Sequence, residues 1–167
     1  ASPTGAISLE NTHNLGGGRF YPQDVIDEIC DGAHERGVRV HMDGARVFNA
    51  AAACGLSVKE IAAKVDTLTF CLSKALGAPM GSILAGSRPL IDKGRLYRKR
   101  LGGGMRQAGV LAAAGLIALE EGPKGLPADH ANAAFLAGEL AKIETLRVTP
   151  AVTNIVIFDV SATGLAP

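Results

Sequence analysis

The chain has 167 residues, and 17 Lys and Arg against 16 Asp and Glu leave a formal net charge of +1. That length holds one domain with a sizeable core, and the near-balance of charge removes the electrostatic argument for a nucleic-acid partner. Apolar residues make up 47%, too many for a disordered chain, yet no stretch approaches the ~18 uninterrupted apolar residues of a membrane span. Cys30, Cys54 and Cys71 are odd in number, widely spaced and lack a CxxC pair. No disulfide framework or zinc site is expected, and a reducing, cytoplasmic compartment fits.

Ile7–Glu10 reads as a short strand, followed by Asn11-Thr12-His13-Asn14 and the glycine turn Gly16–Gly18. Pro22 suits the first turn of a helix whose apolar stripe is Val25, Ile26, Ile29 and Ala33, and Gly37 stops it. Val38, Val40 and Met42 alternate with Arg39 and His41, a strand ending at Asp43-Gly44. An Ala-rich helix follows over about 45–53, and Ser57-Val58-Lys59-Glu60 reads as a capping box for the next one. Thr67–Leu72 is β-rich and runs into Ser73-Lys74, and Ser82–Ala85 makes another short strand. Helices are expected over about 88–101, 106–121 and 128–143, then a final strand over 154–160.

This alternation is that of an α/β protein, a mostly parallel sheet covered by helices. Only Ser73–Gly81 joins the last two strands of the first half, too short for a parallel crossover. If those strands are neighbours, they are antiparallel. Gly122–Pro127 is the candidate boundary, dividing the chain into 1–122 and a second, smaller unit, 123–167. The chain opens abruptly before a strand and stops at Ala166-Pro167 just after one, so a fragment is expected.

In open α/β sheets, ligands bind beyond the carboxyl ends of the parallel strands. Glu10-Asn11, Asp43 and Ser73-Lys74 all fall there. Alone, an Asp after a strand is ordinarily a helix cap and a Lys in a loop is ordinarily solvated. Together, an acid on one strand end and a lysine on the next, 31 positions later, suit pyridoxal phosphate. The lysine bonds covalently to the cofactor aldehyde, and the carboxylate keeps the pyridine nitrogen protonated so that the ring accepts electrons. An α/β enzyme without this cofactor remains the alternative on the pattern alone.

Four ordered segments go further: Leu9–Asn14 (LENTHN), His41–Ala50 (HMDGARVFNA), Cys71–Ser82 (CLSKALGAPMGS) and Arg98–Gln107 (RKRLGGGMRQ). Together they closely resemble motifs of the L-threonine aldolase family, in the β-eliminating-lyase-like branch of fold-type-I pyridoxal-phosphate enzymes. The resemblance runs from about Ile7 to Val160. It implies a sheet with helices on both faces, the C-terminal part of the large cofactor-binding domain, and the start of a small α+β domain. It implies that Lys74 is the Schiff-base lysine, that Asp43 partners the pyridine nitrogen, and that Arg46 lies beside the cofactor and the substrate carboxylate. Lys99 and Arg106 would contribute from a neighbouring subunit, Lys99 to the substrate and Arg106 to the cofactor phosphate, in a homodimer or homotetramer with shared sites.

The implied reaction is cleavage of threonine or allo-threonine to glycine and acetaldehyde. A β-eliminating lyase and an inactive truncated fragment are the alternatives. The family's upstream phosphate loop, its stacking imidazole and its downstream carboxylate-binding arginine have no counterpart here. Ala75 stands where the family commonly has Gly, and the Leu15–Gly18 turn is slightly longer than in some members.

Other features have ordinary explanations beside functional ones. Gly102–Gly104 before a helix is either an anion site or a flexible turn. Arg95, Arg98, Lys99 and Arg100 read as a solvated helix face. His13 is either a contributor to the cofactor cleft or structural at the strand end. Cys71 is expected to be buried and inert, and neither His34 nor His130 has an identifiable partner.

Overall fold

The computed structural model describes residues 2–164. Strands β1 (Ala6–Glu10), β2 (Arg39–Asp43), β3 (Thr67–Cys71) and β4 (Ser82–Gly86) form one sheet in chain order. The first three are parallel, with Glu10 opposite Asp43 and Asp43 opposite Thr69. β4 runs antiparallel to β3, as the short Ser73–Gly81 link requires.

Among the described residues five α-helices complete the α/β architecture: α1 (Gln23–His34), α2 (Val47–Cys54), α3 (Val58–Ile61), α4 (Arg88–Arg100) and α5 (Gly109–Leu140). Strand alternation sends Leu9, Val40, Met42 and Leu68 to one face, where Ile26 and Cys30 of α1, Val47 and Ala50 of α2, and Ile61 close the core. Ile26, Val40, Met42 and Val47 are fully buried, and burying such a side chain stabilises by about 1.5–3 kcal/mol. The opposite face carries Thr69 and its cross-strand neighbour Leu84. There α4 covers β4 so closely that a Cβ on Gly94 would stand 3.2 Å from Leu84 Cδ2. Helices therefore flank both faces. The capping box forms as expected, Ser57 accepting from the Glu60 N–H and Glu60 from the Ser57 N–H.

Several elements differ from expectation. The two helices expected on either side of Gly122-Pro123 are a single helix, α5, with Pro123 and Pro127 inside it. It begins at Gly109 rather than Arg106, and Pro22 occupies the N-cap of α1 rather than its first turn. The expected 154–160 strand shrinks to β6 (Ile157–Asp159), which pairs antiparallel with β5 (Arg147–Thr149) in a separate two-stranded sheet. Thr153 explains the shortening. It is 1% exposed and donates to the Gly18 carbonyl at 2.8 Å, docking its segment on the turn after β1. Cys71 is half-buried rather than buried. The chain's opening residue and Ala166-Pro167, with the end of the expected 123–167 unit, lie outside the described residues. No helix among the described residues is long and apolar enough to cross a membrane.

Candidate active site

Three loops meet the carboxyl edge of the parallel strands. After β1, Glu10 Oε1 accepts from the Asn14 N–H at 2.9 Å, and its Oε2 lies 3.4 Å from His13 Nε2. His13 Nδ1 accepts from the Gly16 N–H at 2.9 Å, which leaves the ring proton on Nε2, facing the carboxylate. His13 thus has two partners in its own turn. Asn11 and Thr12 beside it are 1% exposed, and the Asn11 N–H donates to the Asp43 carbonyl at 2.8 Å.

After β2, the Gly44 N–H donates to the Thr69 carbonyl at 2.8 Å. A Cβ on Gly44 would stand 2.9 Å from that same oxygen, so the glycine lets the end of β2 lie flush against β3. Asp43 is exposed, and its Oδ1 accepts from the Ala45 N–H at 3.1 Å. Arg46 follows as the half-buried N-cap of α2, its carbonyl accepting from the Asn49 and Ala50 N–H groups.

After β3 the chain makes a tight turn. The Ala78 N–H donates to the Leu72 carbonyl at 3.0 Å and the Gly77 N–H to the Lys74 carbonyl at 2.9 Å. Gly77 sits at φ +83°, a conformation that favours glycine. Leu72, Leu76 and Ala78 are buried against Ala118 of α5, with Phe48 and Phe70 alongside. Ser73 and Lys74 are left exposed. Burial of every second or fourth residue of this turn holds the lysine outward.

Asp43, Arg46 and Lys74 thus share one edge of the sheet, with His13 on the neighbouring turn. Among the described residues none of Asp43, Arg46 and Lys74 forms an ion pair. Lys99 and Arg106 are not part of this group. Lys99 is exposed in the last turn of α4, which has no buried residue, and Arg106 is exposed in the segment after it. Gly102–Gly104 lie well before the first residue of α5, so this turn does not open directly into a helix.

Some polar residues of the site region escape a reading by motif. Asn49, 1% exposed, bonds His130 of α5 through Nδ2 and Nε2 at 3.1 Å. His34, the other histidine without an evident partner in sequence, lies 2.9 Å from Asp66. Asn11 Oδ1, Thr12 Oγ1 and Asn154 Oδ1 are buried without a hydrogen-bond partner among the described residues. Asn154 and Ala75 line a cleft beside the Lys74 turn, together with Asn132 of α5. The available signal was a buried-stripe position occupied by an amide, as at Asn49.

Comparison with known proteins follows the same outline. The sequence model of the beta-eliminating lyase family matches residues 1–163. The chain is 44% identical over 158 residues to low-specificity L-threonine aldolase 1 of Arabidopsis thaliana, covering 93% of this chain and 44% of that protein. It is 47% identical over 137 residues to the low specificity L-threonine aldolase of Escherichia coli strain K12, covering 82% of this chain and 40% of that protein. The chain therefore spans less than half the length of these curated relatives. A solved chain from Listeria monocytogenes shares the fold with a TM-score of 0.85 at 22% identity, covering 92% of this chain and 43% of that chain. Another fold neighbour, with a TM-score of 0.63 at 19% identity over 92% of this chain and 39% of that one, was solved with a PLP internal aldimine.

Proposed function

This chain belongs to the beta-eliminating lyase family, and from that membership we propose that the whole protein is a pyridoxal-phosphate-dependent aldolase. Its substrates are β-hydroxy-α-amino acids, threonine or allo-threonine, cleaved to glycine and acetaldehyde. One observation carries the reading: Asp43 ends β2 and Lys74 closely follows the neighbouring parallel strand β3, both exposed and, among the described residues, without an ion pair. A carboxylate and an amine at adjacent strand ends are the donor set the cofactor needs. The identity to the two threonine aldolases supports the substrate class.

In this reading Lys74 would hold the cofactor covalently through Nζ, and Asp43 would hold its pyridine ring by a charged hydrogen bond. When bound, pyridoxal phosphate supplies the electron sink for the pair released as the Cα–Cβ bond breaks. Arg46 orients the amino acid by its carboxylate, for which a guanidinium fork offers two parallel hydrogen bonds. His13, tied to Glu10 and Gly16, is given a supporting role only. Lys99 and Arg106 make no hydrogen bond or ion pair to Asp43, Arg46, Lys74 or His13, and we assign them to a neighbouring subunit's site in a homodimer or homotetramer. Residues 1–122 then belong to the large domain, and those from 123 begin the small one, with α5 bridging the two. The unpaired thiols of Cys30, Cys54 and Cys71 suit the cytoplasm.

The test is product identification. Purified whole protein with pyridoxal phosphate is incubated with threonine, allo-threonine and serine, and products are read by mass spectrometry. Glycine and acetaldehyde from either threonine isomer are expected. Pyruvate and ammonia from serine without glycine would instead support a β-eliminating lyase, the reading that the family's own description favours. The 167-residue chain by itself is expected to give no turnover.

A further inference from the structure

We propose that Asn49 and His130 are positioning residues, and that their hydrogen bond fixes Arg46 for the amino-acid carboxylate. The inference rests on the carboxylate-binding role given to Arg46 above. The path is short. The Asn49 N–H donates to the Arg46 carbonyl at 2.9 Å, so Asn49 belongs to the first turn of α2, the turn that Arg46 caps. Its side chain leaves that turn on the buried side and meets His130 of α5, 81 residues away in sequence. The amide Nδ2 donates and the imidazole Nε2 accepts, which requires the neutral ring with its proton on Nδ1. Burial pushes His130 towards that neutral form, against the opposing pull of Asp129.

The bond matters because it is a side-chain bond that ties the first turn of α2 to a distant helix, whereas the other polar bonds at its start stay within the strand ends and the turn itself. The Arg46 side chain makes no capping hydrogen bond, and the side chains of Val47 and Ala50 pack in the apolar core. Apolar contacts permit sliding, whereas a buried amide bonded to a half-buried imidazole sets one register. The partner helix also needs fixing. Pro123 and Pro127 each lack the N–H of an α-helical rung, and His130 is the first polar anchor after them. α5 further touches the Lys74 turn at Gly122, about 12 Å back along the helix axis. The same helix therefore contacts both the Asn49 turn and the lysine turn, on either side of its two prolines.

The experiment uses the whole protein with pyridoxal phosphate bound, as wild type, His130→Leu, His130→Gln and Asn49→Leu. Two quantities are read: glycine affinity, by titrating the cofactor absorbance, and hydrogen–deuterium exchange over residues 44–50, followed in the cofactor-free protein. In His130→Leu and Asn49→Leu, glycine affinity should fall about tenfold and exchange over 44–50 should quicken, with Tm within a few degrees of wild type. His130→Gln, whose amide oxygen can accept from Asn49, should recover most of both. Unchanged glycine affinity in a folded His130→Leu protein would overturn the proposal, even if exchange quickens. So would a His130→Gln variant as impaired as His130→Leu. Glycine affinity does not depend on which bond the enzyme breaks, so failure to cleave threonine would sink the aldolase reading and leave this comparison intact.

Discussion

Gly122 lies so close to Leu76 that a Cβ on it would stand 2.8 Å from both the Leu76 Cα and the Leu76 carbonyl oxygen. Leu76 is buried two residues after Lys74, so α5 and the lysine turn meet backbone to backbone. No rotamer change relieves such a contact. In Gly122→Ala the usual helix gain of ~1 kcal/mol is outweighed by an overpacking cost of roughly 1–3 kcal/mol. Gly138, also in α5, has nothing within 4 Å of its Cβ position. Gly138→Ala should stabilise by about 0.5–1 kcal/mol. Urea unfolding of the two variants should move in opposite directions, and a stabilised Gly122→Ala would contradict the close approach.

Asp66 makes stability depend on acid. Burial raises its pKa, but the Val40 N–H, Arg39 and His34 outweigh that and hold the carboxyl down to about 2. A depressed carboxylate contributes stability above its unfolded pKa of ~3.9 and loses it as pH falls through the folded value. Asp66→Asn should therefore cost about 1–2 kcal/mol at pH 7. The gap to wild type should narrow between about pH 4 and pH 2. Denaturation midpoints across that range check it. A gap that stays constant down to pH 2 would show that the carboxylate charge is not what Asp66 contributes.

Lys74 and Asp43 should fail differently in the whole protein. Lys74→Ala should lose all borohydride-reducible attachment of pyridoxal phosphate. Asp43→Asn should keep that attachment while losing roughly 10²–10³ in rate, the scale of a lost electrostatic group at a reacting centre. Mass spectrometry after reduction, beside steady-state rates, separates the two. A reducible adduct surviving in Lys74→Ala would move the lysine assignment elsewhere.

Arg46→Lys keeps the charge and removes the fork. A point charge does not hold the carboxylate plane, so threonine cleavage should drop severely while cofactor attachment is retained. Steady-state kinetics on the variant give the answer, with near wild-type kcat/KM as the result that would exclude bidentate binding by this residue.

The sequence by itself determined the strand and helix alternation, the antiparallel β4, the capping box at Ser57 and the strand-end placement of Asp43 and Lys74. Each of these is local: a two- or 3.6-residue period, a cap four residues long, a link too short for a crossover. Where the chain departs from that reading, distant partners decided. Pro123 and Pro127 locally argue for a break, yet α5 continues because Leu126 is buried and Ala118 packs beneath the lysine turn. Tertiary burial of a helix face outweighs the propensity of two residues. The last strand shortens because Thr153 bonds the carbonyl of Gly18, 135 residues earlier. His34 and His130 gain partners 32 and 81 residues away, beyond the reach of any periodicity. Periodicity records which face of an element is apolar, and only the packed chain decides which polar atoms, once buried together, must satisfy one another.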